Sequence, residues 1–170
     1  MKIVLLGYMA SGKTIIASKL SEKLMIKHVD LDEYISKIEN LSILEIFKLK
    51  GEITFRLLEN KYLKELLTKK GDFIISVGGG TPCYANNMDI ILKYSTSVFL
   101  KASIDTIYNR IINEKDKRPL VKNIDNDKLK EFIAKHLFER SQFYNKAEYI
   151  NKVDDKSIIE IVNELSLINM

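Results

Sequence analysis

Gly7-Tyr8-Met9-Ala10-Ser11-Gly12-Lys13-Thr14 follows the apolar run Ile3-Val4-Leu5-Leu6 and precedes Ile15-Ile16-Ala17-Ser18-Lys19-Leu20-Ser21-Glu22-Lys23-Leu24. The first stretch is a complete G-x-x-x-x-G-K-[ST] phosphate loop; the run before it reads as a buried strand, and the segment after it has helical apolar spacing. Small residues let backbone N–H groups curl around phosphate oxygens, the Lys13 ammonium bridges the outer phosphates, and the Thr14 hydroxyl suits Mg²⁺. The dipole of the following helix adds to the pull on anions. A triphosphate site is therefore expected at the end of the first strand.

Working outward, apolar β-branched runs recur near His28–Leu31, at Phe73–Val77, at Ser97–Leu100 and near Tyr149–Val153, separated by stretches with helical spacing. Strands alternating with helices imply the α/β class, a five-stranded parallel sheet covered on both faces. By length the chain is one domain, 1–170, large enough to bury about 70% of its unfolded surface. Two regions break the alternation. From Glu33 to about Lys70 helix follows helix: Ser42-x-x-Glu45 makes a capping box, Gly51 is expected to end that helix, and the insert, about 33–62, is placed to bind a second substrate. The polar, proline-broken segment at about 113–123 reads as a lid loop that closes over nucleotide.

The net charge of +4, from 27 basic and 23 acidic residues, is too mild to argue for nucleic acid, and Lys61, Lys64, Lys69 and Lys70 read as solvated helix faces. The single cysteine, Cys83, has no partner for an internal disulfide and points to an intracellular, cytoplasmic setting. No run approaches the roughly 18 apolar residues of a membrane span. His28 and His136 lie far apart without a thiol or carboxylate cluster, which argues against a metal site built on them.

Three constellations carry chemistry beyond the phosphate loop. Asp30 and Asp32 lie two apart at the end of the second strand, where both would reach the ligand crevice; the competing reading makes Asp32 a helix cap. Ser76-Val77-Gly78-Gly79-Gly80-Thr81-Pro82 ends a buried strand in three glycines, which implies close backbone approach or a flexible turn. Arg56, three residues before Glu59, would ordinarily be half of a surface ion pair of little worth, and Arg110, Arg118 and Arg140 would ordinarily be solvated.

Taken together, the phosphate loop, Asp30-Leu31-Asp32, Ile43-Leu44-Glu45-Ile46-Phe47, Gly51-Glu52 with Phe55-Arg56 and Glu59, Gly78-Gly79-Gly80, Arg118-Pro119-Leu120, Glu139-Arg140 with Tyr144, and Val153-Asp154 closely resemble the shikimate kinase family, of the nucleoside-monophosphate-kinase-like phosphate-loop group. The resemblance covers nearly the whole chain. It implies a three-layer phosphate-loop kinase fold and transfer of the ATP γ-phosphoryl group to the 3-hydroxyl of shikimate by a cytoplasmic monomer, without nucleic acid or membrane partners. By matching positions, Ala10, Ser11, Gly12, Lys13, Thr14 and Ile15 would cradle ATP, with Arg110 and Lys156 beside adenine. Asp32, Arg56, Gly78, Gly79, Gly80 and Arg140 would hold the acceptor, both arginines on its carboxylate. Lys13, Asp32 and Arg118 would be catalytic, and Thr14 and Asp30 would serve Mg²⁺. Two departures are small: Ala10 stands where glycine is common, and Val121 where leucine is common.

Two rivals stay open on sequence alone. A sister kinase such as a gluconate kinase shares the loop and the fold but has no use for Arg56 and Arg140 beside a triple glycine. A non-catalytic nucleotide-dependent regulator would bind without turnover, against which Lys13, Thr14, Asp32 and Arg118 speak together.

Overall fold

The computed structural model describes residues 1–113, 115 and 121–168. Its elements run β1 (Lys2–Leu6), α1 (Lys13–Leu24), β2 (Lys27–Asp30), α2 (Leu31–Glu39), α3 (Ile43–Thr68), β3 (Phe73–Ser76), α4 (Asn87–Tyr94), β4 (Thr96–Lys101), α5 (Ile104–Ile112), α6 (Asn126–Tyr144), β5 (Tyr149–Lys152) and α7 (Ile158–Ser166), with a 3₁₀ turn at Thr81–Cys83. Each apolar run is a strand, and all pairings are parallel in the order β2-β3-β1-β4-β5. β1 is central because it is apolar on both faces: Ile3, Val4, Leu5 and Leu6 are all buried, with Val4 between Ile75 of β3 and Ser97 of β4. No helix among the described residues is long and apolar enough to cross a membrane.

This topology decides where the site lies. β1, β2 and β3 are neighbours, so their carboxyl ends bring the phosphate loop, Asp30 and Gly78–Gly80 to one edge of the sheet, and the chain then crosses β1 to start β4 on the other side. A crevice forms at such a reversal.

The expected helical insert is α2 and α3. Ser42 and Glu45 form the capping box, with the Glu45 amide 3.2 Å from Ser42 Oγ and the Ser42 amide 2.7 Å from Glu45 Oε2. Gly51 interrupts the helix as the sequence suggests, because its backbone is not helical. At φ 79° and ψ 168° it kinks α3, and the helix resumes at once. A side chain there would be strained by that φ, while the space around it is open. Glu39 at the end of α2 ties the two helices, accepting from Lys50 (2.8 Å) before the kink and from the Tyr62 hydroxyl (2.7 Å) after it. The kink therefore aims the second half of α3, with Glu52, Arg56 and Glu59, at the carboxyl ends of the strands. In the expected lid, 114 and 116–120 lie outside the described residues, and Val121 is buried.

Candidate active site

The phosphate loop is built by backbone turns that only small residues permit. Gly7, Ala10 and Gly12 have φ of 149°, 60° and 98°. A Cβ on Gly7 would stand 2.8 Å from the Leu100 carbonyl oxygen and 2.9 Å from Ser11 Oγ. Ala10 occupies the left-handed region, which costs an L-residue roughly 1–2 kcal/mol. Glycine would adopt this conformation without that cost. Lys13 Nζ donates to the Gly7 and Tyr8 carbonyls at 3.0 and 2.8 Å, which folds its ammonium over the loop. Loop residues Ala10 to Ile15 line a cavity of about 1040 Å³. Arg110 and Lys156 also line it: Arg110 donates to the Ala10 carbonyl at 3.0 Å, and Lys156 pairs with Glu164 at 2.6 Å.

Asp30 and Asp32 do not form the strand pair that their spacing suggested. β2 stops at Asp30, which is itself the N-cap of α2: its Oδ1 accepts from the amides of Asp32 (3.0 Å) and Glu33 (3.3 Å). The cap is thus Asp30, not Asp32, and Asp32 sits in the first turn of the helix. Asp30 Oδ2 accepts from Ser76 Oγ at 2.7 Å and lies 3.5 Å from Thr14 Oγ1, with His28 Nε2 2.9 Å from the same Ser76 oxygen. Asp32 Oδ1 is buried and has no hydrogen-bond partner among the described residues. Burial, then the charges of Asp30 and Glu59, push the Asp32 carboxyl up to about 6 against the opposing pull of Lys13 and Arg56.

Asp32 also lines a second cavity of about 550 Å³, shared at the junction by Met9, Gly78 and Gly79. Arg56 and Arg140, from α3 and α6, both line this second cavity. The Arg56–Glu59 pair is no surface ion pair: Glu59 is 1% exposed, bonds Arg56 Nη1 at 2.7 Å and accepts from the Thr81 hydroxyl. Glu52 takes Arg56 Nη2 at 3.1 Å, and Tyr84 stacks under the guanidinium at 4.1 Å. Arg140 lies over the Tyr8 ring at 5.3 Å and has no ion pair with any described residue. One wall is apolar, from Met9, Ile43, Leu44, Phe47 and Phe55.

The three glycines are explained by these neighbours. A Cβ on Gly78 would meet Thr81 Oγ1 at 3.1 Å and Glu59 Oε1 at 3.3 Å; on Gly79 it would meet Arg140 Nη1 at 3.3 Å, and on Gly80 Arg56 Nη1 at 2.9 Å. Each guanidinium thus rests against its own glycine. Gly80→Ala should therefore displace Arg56 without disturbing the sheet: the KM of the acceptor substrate should rise by about three- to tenfold, with ATP KM and Tm nearly unchanged, as read by steady-state kinetics and a thermal melt.

Of the residues named from sequence for ATP, Mg²⁺ or the acceptor, all but Arg118, which lies outside the described residues, fall on one of these two cavities. Sequence reasoning gave no role to Glu52, and none to Thr81, Tyr84 or the Ser76–His28 contacts around Asp30. Thr81, Tyr84 and the Ser76–His28 contacts act through partners distant along the chain.

A parallel α/β sheet with a phosphate loop, a helical insert and an arginine-lined cavity sharing one carboxylate with it defines the class of phosphate-loop small-molecule kinases. A family model described as shikimate kinase matches residues 9–168. A shikimate kinase of Flavobacterium johnsoniae is 53% identical over 165 residues, covering 96% of both chains. The structure of shikimate kinase from Bacteroides thetaiotaomicron superposes with a TM-score of 0.90 at 34% identity, covering 98% of this chain and 96% of that one. Shikimate kinase from Acinetobacter baumannii in complex with shikimate gives 0.86 at 25% identity, covering 97% and 90%. The chain belongs to the shikimate kinase family.

Proposed function

We propose that the protein transfers the γ-phosphoryl group of ATP to the 3-hydroxyl of shikimate, a step toward chorismate and the aromatic amino acids. The observation that carries this reading is the convergence of Arg56 and Arg140 on one cavity whose inner end is the unpartnered Asp32 oxygen, at the junction with the phosphate-loop cavity. An anionic ring fits that cavity: its carboxylate meets two guanidinium forks, its apolar face meets Phe47 and Phe55, and its hydroxyls meet Asp32. A buried carboxylate oxygen with no donor asks for one, and the acceptor hydroxyl supplies it.

Phosphoryl transfer needs positioning and charge neutralisation more than covalent chemistry. Arg56, held by Glu52 and Glu59, and Arg140, held on Tyr8, orient the acceptor, which converts a two-body encounter into an aligned attack. Asp32, beside Lys13 in charge terms, accepts the hydroxyl proton or aims the oxygen. Lys13 and the loop amides neutralise the transferring group. Arg118 is assigned a second positive charge there from its Arg118-Pro119-Leu120 motif alone. Thr14 and Asp30 fit a Mg²⁺ ion, since both offer oxygen donors 3.5 Å apart at the mouth of the phosphate loop. When bound, such an ion spreads the phosphate charge and lowers the barrier to transfer.

The test is an ADP-release assay with shikimate, quinate, gluconate and nucleoside monophosphates as acceptors, repeated on arginine variants. A charge-assisted hydrogen bond contributes roughly 1.5–3 kcal/mol, so Arg56→Ala or Arg140→Ala should lower shikimate kcat/KM by about tenfold to a hundredfold with ATP binding unchanged. Because both grip one anion, the double variant should depart from additivity. Lysine at either site should rescue only partly, having no bidentate fork. Wild-type shikimate kinetics in both single variants would reject the acceptor assignment and favour another small-molecule kinase.

A further inference from the structure

Tyr8 stands inside the phosphate loop, yet its side chain is 1% exposed and is directed at α6 instead of at a phosphate. On α6, Phe132, His136, Arg140 and Tyr144 recur every four residues and so share one face. Tyr8 Oη lies 3.2 Å from His136 Nδ1, with the two rings edge-on at 69°. The Phe132 ring packs against His136, with 4.1 Å between the ring centroids. One turn further along, Arg140 sits over the Tyr8 ring, and one turn beyond that the Tyr144 hydroxyl donates to the Gly79 carbonyl. The backbone of Tyr8 meanwhile accepts from Lys13 Nζ at 2.8 Å and from the Ser11 amide at 3.2 Å. A single residue therefore touches the lysine that meets ATP and the arginine that meets the acceptor.

The hydrogen-bond roles follow from the surroundings. Burial pushes the Tyr8 phenol up to about 12, so it keeps its proton and donates. Burial, with the Arg140 charge behind it, holds His136 below the usual imidazole value, which leaves Nδ1 of a neutral ring to accept. Phenylalanine at position 8 would keep the aromatic face under Arg140 but leave that nitrogen without a donor.

We infer that Tyr8 and His136 are a positioning pair: their hydrogen bond fixes α6 against the phosphate loop, so that Arg140 is presented to the acceptor carboxylate in register with Lys13. This rests on the reading of Arg140 as an acceptor ligand. It assigns a role to a phosphate-loop side chain that the loop's own chemistry does not use.

The experiment measures shikimate and ATP kinetics and thermal melts for Tyr8→Phe, His136→Leu, their double variant and His136→Asn, with Arg140→Ala alongside. Tyr8→Phe and His136→Leu should each raise shikimate KM by about three- to tenfold, because small misplacements of an orienting group are costly, while ATP KM stays put. The double variant should be no worse than either single one, since one hydrogen bond is lost in all three. Asparagine at 136 offers an amide oxygen where Nδ1 stood and should restore most of the loss. A purely structural contact would lower Tm and move neither KM selectively. Unchanged shikimate KM in Tyr8→Phe and His136→Leu, with Arg140→Ala impaired, overturns the positioning pair and leaves the acceptor site standing. Unchanged shikimate KM in Arg140→Ala itself rejects the acceptor-site reading, and the positioning pair with it.

Discussion

Lys13→Ala should lower kcat by about 10³-fold or more at saturating ATP, because removing a preorganised cation from a transferring phosphoryl group forfeits stabilisation made chiefly in the transition state. The fold should survive, since the strand, the helix and the positive-φ turns of the loop are set by residues other than the lysine. Lys13 Nζ bonds two loop carbonyls, Gly7 and Tyr8, so a small loss of Tm is expected with the loss of activity. Lys13→Arg should recover little, because the guanidinium fork is too broad for the narrow turn that the ammonium closes. ADP release at saturating ATP and shikimate, with a melt on the same samples, checks this. Turnover near wild type in Lys13→Ala would mean that the loop does not hold the transferring phosphate.

Asp32→Asn should be the second inactive variant, with kcat/KM for shikimate down by about 10²- to 10⁴-fold, the range typical of losing a positioned proton acceptor. In the wild type the carboxyl titrates near about 6, raised first by burial and then by Asp30 and Glu59. Shikimate kcat/KM should therefore fall as the pH drops below about 6, and this limb should be missing in the variant. Stability should move the other way. The folded value lies above the ordinary 3.8, so ionised Asp32 opposes folding; that penalty is fully present above about 6 and gone below about 3.8. An asparagine side chain carries no charge, so Tm should rise in Asp32→Asn at about pH 8 and the gain should shrink toward about pH 4. A variant less stable than wild type at the higher pH would count against the buried, unpartnered carboxylate. A pH profile identical to wild type would count against Asp32 as the proton acceptor.

Much of this protein is legible along the chain because its physics there is local. A phosphate loop is written in consecutive residues: two glycines that accept positive φ, a lysine and a hydroxyl at the start of a helix, and a strand before them. Five apolar β-branched runs separated by helical spacing leave few arrangements besides a parallel sheet covered on both faces. The Ser42–Glu45 capping box was likewise readable, being three residues long in reach. Short-range reading failed where two local rules competed. The alternation in His28-Val29-Asp30-Leu31-Asp32 fits a strand, but Asp30 accepting two amides ends the strand and starts α2. Gly51 does stop the helical run, with its non-helical backbone, but the immediate restart of the helix and its tie through Glu39 to Lys50 and Tyr62 on either side belong to the tertiary structure.

What the sequence determined by itself is the phosphate-binding edge and the class of sheet that carries it. The proposed acceptor site belongs to the tertiary structure. Arg56 and Glu59 show nothing unusual as a helical i, i+3 pair until Glu59 is 1% exposed beneath Thr81 and the guanidinium presses on Gly80. Arg140 is one arginine among several until α6 lays it on Tyr8 and against Gly79. The physical reason is that burial, charge and hydrogen-bond partnership are properties of the space around a side chain. For these residues that space is filled by segments far away in the chain, which only the order of strands β2, β3 and β1 brings to a single edge.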